Sequence, residues 1–366
     1  MNPDPRRSRS LTGKAFGSLL GMMLACATSN CTVAAAQTAV HRAEMQSPAL
    51  SPAKSPTRLG ASAKDEKLTA TLREIAAAHH GKVALYAVNL KTGSTVELDA
   101  DQPVQTASTI KLTILFEAME QVRAGKAHWD EKIVLKGEDR VAGSGILQLF
   151  DAPLTLTLKD VLTMMVVVSD NTATNLAIDR FGLDAINARI AWMGLKDTYL
   201  YKKVFKPATG PMPVDQPKFG LGKTTPREMA QVMERIGRCE LAKPGEAAQT
   251  TDTAICKTAL EMLRHQFYRD DAPRYLEGQD TSEMGTAIAN KTGALDAVRN
   301  DVAIVASKAG PIIISSFTYE NADKSWSADN EAELMNAKLA RAIVQAWSPQ
   351  GLDAAAMVPG LGLAAQ

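Results

Sequence analysis

Val83-Ala84-Leu85-Tyr86-Ala87-Val88-Asn89-Leu90-Lys91-Thr92-Gly93-Ser94-Thr95-Val96-Glu97-Leu98 reads as a strand, a turn and a second strand. Aliphatic, β-branched and aromatic residues fill Val83 to Leu90, Lys91-Thr92-Gly93 supplies the turn, and Ser94 to Leu98 returns beside it. Just upstream, Leu68, Leu72, Ile75 and Ala76 recur at helical spacing, and Gly81 stops that helix behind His79-His80. The two histidines read as helix-end residues rather than metal ligands. Toward the other end, Thr286 to Lys291, Asp301 to Ala306 and Pro311 to Tyr319 are strand-like runs, followed by an amphipathic helix from Glu331 to Trp347.

The middle is helical. Ser108 to Val122, with Gly125 beyond it, Leu156 to Val168 and Asn171 to Arg180 carry helical patterns. Thr224 to Ile236 opens with Thr225-Pro226 and has Glu228 in its first turn, as a helix start requires. A hairpin at one end, strands at the other and helices between predict an α+β protein. Its antiparallel sheet is assembled from both chain ends, with a helical region inserted.

The chain has 366 residues, enough for one large domain or two modest ones. Its apolar fraction of 45% argues against wholesale disorder, and a net charge of +1 gives no basic footprint for nucleic acid. Arg6, Arg7, Arg9 and Lys14, the apolar run Ala15 to Ala27 and the small residues Ala34-Ala35-Ala36 read as a cleavable export leader over 1–36. Lipid modification at Cys26 is the alternative reading. A Ser-, Pro-, Ala- and Lys-rich tether then extends to residue 64, the folded part covers 65–347, and an Ala-, Gly- and Pro-rich tail, 348–366, is expected to be loose. No later segment is apolar over the roughly 20 residues that a membrane span needs. The protein is therefore expected in the periplasm or outside the cell.

Export places Cys239 and Cys256, 17 positions apart, in an oxidising compartment, where a disulfide between them is expected. Such a loop would stabilise by about 3 kcal/mol. Two separate buried thiols are the alternative. No Cys-x-x-Cys pair supports a zinc site, and no phosphate-binding glycine pattern stands in the right context.

The candidate chemistry begins at Ser108-Thr109-Ile110-Lys111. On a helix, positions i and i+3 share a face, so the Lys111 amine can serve as base for the Ser108 hydroxyl if burial depresses its pKa. Alone the pattern is weak, since Ser51-Pro52-Ala53-Lys54 repeats it inside the tether. What gives it weight is order. Ser169-Asp170-Asn171 follows 61 positions after Ser108, at a junction between helical stretches, and Lys291-Thr292-Gly293 follows 122 positions later at the end of a strand-like run. The second Lys-Thr-Gly, at 91 to 93, lies upstream of the serine in the hairpin turn.

On these three motifs the chain resembles the serine penicillin-recognising enzymes, and specifically the class A serine beta-lactamases, over roughly residues 65–347. Gly143-Ser144-Gly145-Ile146-Leu147, Thr224-Thr225-Pro226 and Asn300-Asp301 also look like that family. The resemblance implies a three-layer α/β/α fold of the beta-lactamase/transpeptidase type. It implies that Ser108 is acylated, that Lys111 takes part in proton transfer and that Ser169 relays a proton to the leaving nitrogen. It further implies that Asn171 contacts the substrate amide side chain and that Lys291 and Thr292, with Gly293 completing their motif, bind the substrate carboxylate. The oxyanion would sit between the backbone N–H groups of Ser108 and Ala294, and Arg299 would add to carboxylate binding. The substrate is then a small molecule, a beta-lactam or a D-alanyl peptide, and the serine chemistry requires neither a metal nor a nucleotide cofactor.

One departure matters. The family's deacylating glutamate belongs to a loop that corresponds here to Tyr199 to Lys223, and this stretch contains no glutamate. Asp215 is its only carboxylate and the candidate replacement base, with a solvated loop aspartate as the alternative. Glu228 follows Pro226 and reads as a helix cap. The sequence therefore leaves open a beta-lactamase, a D-alanyl peptidase or other amide or ester hydrolase, and an acyl-trapping protein without turnover. It leaves oligomeric state open too.

Overall fold

The computed structural model describes residues 63–242, 246–276 and 286–363. The expected leader, nearly all of the expected tether and Cys26 lie outside them. The chain runs through β1 (Ala63–Lys64), α1 (Glu66–Ala76), the hairpin β2 (Lys82–Asn89) and β3 (Ser94–Leu98), and β4 (Val104–Gln105). The helical region comprises α2 (Lys111–Arg123), β5 (Lys132–Leu135), β6 (Leu154–Thr157), α3 (Leu158–Val167), α4 (Asn171–Phe181) and α5 (Leu183–Trp192). It continues with β7 (Tyr199–Leu200), the single turn α6 (Gln216–Phe219), β8 (Gly222–Thr224), α7 (Pro226–Arg238) and α8 (Asp252–Arg264). Then come β9 (Ile288–Leu295), β10 (Val298–Val305), β11 (Ile312–Tyr319) and α9 (Glu331–Trp347).

The main sheet has the order β1-β3-β2-β11-β10-β9. Its pairings are antiparallel apart from the short parallel pair β1 and β3. The N-terminal hairpin is stitched to the C-terminal strands along β2 and β11, with Lys82 opposite Tyr319 and Asn89 opposite Ile312. The expected α+β architecture, a sheet built from both chain ends around a helical insert, is the one observed.

Alternation along β10 separates the two covering layers. Arg299 reaches Glu333 of α9, whereas Ile304, of opposite parity, meets Gly237 of α7. The helix α1 joins the α9 layer: Asp65 caps α1 by accepting from Leu68 N at 3.0 Å, and its other oxygen accepts from the Trp347 indole at 3.0 Å. In the helical region α2 is buried on every side from Lys111 to Glu120, as befits a central helix. That burial fixes the axis at whose mouth Ser108 stands. Cys239, in the left-handed conformation that ends α7, is joined to Cys256 of α8 by the expected disulfide, with Cα atoms 5.6 Å apart.

Three local expectations are corrected. The helix expected from Leu156 starts at Leu158, because Leu156 and Thr157 pair with Ile133 and Lys132, and the Thr157 hydroxyl caps the helix through Asp160 N. Lys291-Thr292-Gly293 lies inside β9 rather than at its end, since the strand runs on to a tight connection with β10. The stretch after Ser348, expected to be loose, packs back onto the core. Leu352 bridges to Ser307, Met357 and Leu361 are buried, and Gly360 N donates to Gly237 O at 2.9 Å. The stretch carries no periodicity that a sequence reading can use, yet its Leu361 lies against Gly237 of α7, beside Ile304 of the sheet.

Candidate active site

The turn that carries Ser108 is suspended from three strands. Thr106 N and its hydroxyl both donate to Gly222 O in β8, at 2.9 and 3.2 Å. The Asn300 side chain of β10 donates to Gln105 O at 2.9 Å. From β9, Gly293 presses against the turn so closely that a Cβ there would stand 2.8 Å from Ser108 N and 2.9 Å from both Thr106 O and Thr109 N. Ala107 enters at φ 45°, a left-handed conformation that costs about 1–2 kcal/mol outside glycine. Residues Ala107–Ile110 form a 3-10 turn running into α2. In that geometry side chains at i and i+3 eclipse, which puts half-buried Ser108 over fully buried Lys111.

Beneath Ser108 lies a buried polar cluster. Lys111 Nζ donates to Ser169 O at 2.6 Å and to Asn171 Oδ1 at 3.1 Å, and lies 3.0 Å from Ser169 Oγ. Lys291 Nζ lies 3.1 Å from the same hydroxyl and donates to Thr292 O at 2.8 Å. One serine oxygen thus bridges two lysines, all three residues being buried. Ser169 achieves this at φ 52°, again left-handed. Its neighbour Asp170 holds it there: the carboxylate caps α4 through Ala173 N at 2.8 Å and accepts from Ile146 N and Leu147 N at 2.7 and 2.8 Å.

Two cations cannot both stay charged so close together and so far from water. Burial, chiefly, and then the neighbouring Lys291 charge hold Lys111 well below the ordinary lysine range, with Asp170 opposing. Burial lowers Lys291 to about 7, against the attraction of Asp301 and Asp271. A neutral Lys111 has two N–H groups for the acceptors Ser169 O and Asn171 Oδ1, and one lone pair that can take up a proton. The arrangement can carry a proton from Lys111 through Ser169.

The edge of the sheet completes the cleft. β9 is the edge strand, and the carbonyls of Asn290 and Thr292 turn away from β10 to accept from Gln266 and Lys291. Ala294 has the same parity, so its N–H faces outward along the same edge.

The remaining sequence candidates stand elsewhere. Arg299 is buried on the α9 face, paired to Glu333 at 2.9 Å, bonded to Ser325 O at 2.6 Å and to the Leu295 carbonyl, and stacked under Trp326 at 4.6 Å. Lys291 projects from the other face of the sheet, so the two do not meet. Asp215 accepts from the Tyr201 hydroxyl and from Lys223 Nζ, both at 2.7 Å, and these two bonds hold its carboxyl below the ordinary range. Glu228 is not the expected helix cap: the Thr225 hydroxyl caps α7 by accepting from Glu228 N at 3.2 Å, and the Glu228 carboxylate instead accepts from Lys196 N, Asp197 N and the Thr198 hydroxyl, anchoring the start of the 199–223 stretch. Sequence reading missed Thr106, Gly222 and the structural role of Asp170, since backbone acceptors and loop partners leave no residue pattern.

The family model described as the beta-lactamase enzyme family matches residues 67–347. Among solved structures, a beta-lactamase from Sphaerobacter thermophilus is 30% identical, with a TM-score of 0.64, covering 77% of this chain and 97% of its own. PBP-A is 23% identical with a TM-score of 0.63, covering 79% of this chain and 98% of its own. An ancestral class A beta-lactamase is 20% identical with a TM-score of 0.63, covering 76% of this chain and 99% of its own. The last two likenesses bear on the fold alone.

Proposed function

Because the chain belongs to the beta-lactamase enzyme family, we propose that it is a serine hydrolase that opens the beta-lactam amide through an acyl-enzyme on Ser108. The observation that carries this reading is the buried Lys111–Ser169–Lys291 cluster under the Ser108 turn. Ser108 Oγ attacks the lactam carbonyl and its proton passes to the neutral Lys111 amine. The oxyanion is held by the N–H groups of Ser108 and Ala294. As the C–N bond breaks, the Ser169 hydroxyl gives its proton to the leaving nitrogen and is reprotonated from Lys111. Lys291 and Thr292 hold the substrate carboxylate and Asn171 lies beside its amide side chain, while Arg299 stays with α9. Water then cleaves the ester. A small-molecule substrate in the periplasm or outside the cell fits the leader-like N-terminus.

A second reading concerns that last step. With both its oxygens engaged and its pKa lowered, Asp215 is a weak base, and we assign it to bracing the 199–223 stretch. This favours slow deacylation, as in a peptidase-like or acyl-trapping protein. Asp215→Asn is therefore expected to leave the deacylation rate within about threefold of the parent, since a bridged, partly exposed carboxylate contributes little. Accumulation of acyl-enzyme in that variant would restore it as the base.

An intact-mass time course with a chromogenic cephalosporin, followed for colour in the same tube, tests the function. Many turnovers with a transient adduct identify a beta-lactamase, a persistent stoichiometric adduct identifies the slow alternative, and no adduct refutes both.

The pH dependence follows from Lys291. It must be a cation to hold the carboxylate, and its pKa in the free protein is about 7. Acylation efficiency is thus expected to fall as pH rises through about 7, approaching a tenfold loss per further unit. A flat acylation profile from about pH 6 to 9 would refute this charge assignment.

A further inference from the structure

The proton chemistry leaves two aromatic residues at the cleft rim unused. Phe205 has φ 53°, a true outlier for a bulky residue, and the residue is 69% exposed. The chain bears both costs beside Asn171. A Cβ on Gly143 would stand 2.8 Å from Asn171 Nδ2 and 2.9 Å from Phe205 Cε2, so the bare glycine is what lets ring and amide approach each other. Tyr268 reaches the next residue of the same turn, its hydroxyl 3.3 Å from Ser144 Oγ, and packs edge-to-face with Phe267. Ser144 O in turn accepts from Asn171 N at 3.0 Å.

Two aromatics from distant segments therefore meet adjacent residues of one turn, and both residues of that turn touch Asn171. The turn is held from within: Gln148 Nε2 donates to Gly143 O at 2.7 Å, and Gly145, at φ 98°, lies so close to Asp170 that a Cβ would stand 2.3 Å from its Cα. Strained backbone and exposed rings on a braced turn are the features of a preformed contact surface rather than of a solvated loop.

We infer that Phe205 and Tyr268 are specificity residues of this cleft, and that its acyl donors carry an aryl or comparably bulky apolar group on the amide side chain, seated against the Gly143–Ser144 turn. The inference rests on the acyl-enzyme reading above and names the substrate class for it. Aromatic faces favour an aryl group in offset or edge-on contact over a small acyl group.

The test compares second-order acylation of the full protein by benzylpenicillin and by 6-acetamidopenicillanic acid, which keeps the ring, carboxylate and amide but lacks the phenyl group. The parent is expected to prefer benzylpenicillin by about tenfold or more, and Phe205→Ala and Tyr268→Ala each to reduce that ratio by about fivefold, with Phe205→Leu intermediate. A merely structural role would lower both rates together and leave the ratio unmoved. A parent ratio near one, or a ratio unchanged in both alanine variants, overturns the inference while leaving the acyl-enzyme standing. Failure of both penicillins to label the parent overturns the acyl-enzyme itself, and the inference with it.

Discussion

Ser108→Ala is expected to abolish the covalent adduct and to cut acylation by a thousandfold or more, as removal of an attacking hydroxyl does when the rest of the site is intact (about 10³ or above). The variant should fold, because Ser108 is only half-buried and the turn is held by Thr106, Asn300 and Gly293. Lys111, Ser169 and Lys291 would keep their mutual bonds, so the loss isolates the nucleophile rather than the cluster. Intact mass after incubation with a chromogenic cephalosporin is the readout. An adduct that persists in the alanine variant would move the nucleophile elsewhere.

The next largest effect is expected at Gly293, where no side chain does chemistry. Gly293→Ala should lower acylation by about a hundredfold with the overall fold retained, since a displacement of even 1 Å at a reacting group costs that order. The three atoms that an added Cβ would meet, Ser108 N, Thr106 O and Thr109 N, are all backbone. None can rotate aside. Either β9 or the Ser108 turn must retreat, and the distance between the Ser108 and Ala294 N–H groups changes with it. Gly137→Ala, whose nearest neighbour is an Arg140 side-chain nitrogen at 3.8 Å, is the control. Near-parental acylation in Gly293→Ala, with circular dichroism unchanged, would show that the strand and turn are not rigidly matched.

What was legible in the sequence follows from where its signals act. The β2–β3 hairpin could be read because its strands are apolar and its turn is local. Ser108 and Lys111 could be paired because one helical turn fixes their spacing. The extent of β9 and β10 was not legible. Lys291, Asn300 and Asp301 look like residues of a strand end, yet all are buried, because one face of this edge strand pair meets the Ser108 turn and the other holds the Asp271, Asn336 and Arg299 contacts. A polar run in a strand is ambiguous until its partners are known. Asp215 shows the same limit. Its residue type and loop were readable, but Tyr201 and Lys223, which occupy both its oxygens, come from either side of that loop. Arg299 likewise sits in the expected motif region, and only strand parity assigns it to the α9 face.

The stitching of β2 to β11 has a consequence for the newborn chain. A polypeptide made from its N-terminus presents the β2–β3 hairpin and the complete Ser108 helix long before β9, β10 and β11 exist. Until then the hairpin has an open flank and the serine has no Lys291, no Gly293 wall and no Ala294 donor. Pairings so distant along the chain form late and slowly. On the role proposed for Ser108, reactivity would therefore be withheld during synthesis until the last strands pair, and a prematurely terminated chain would carry the nucleophile without the means to fire it.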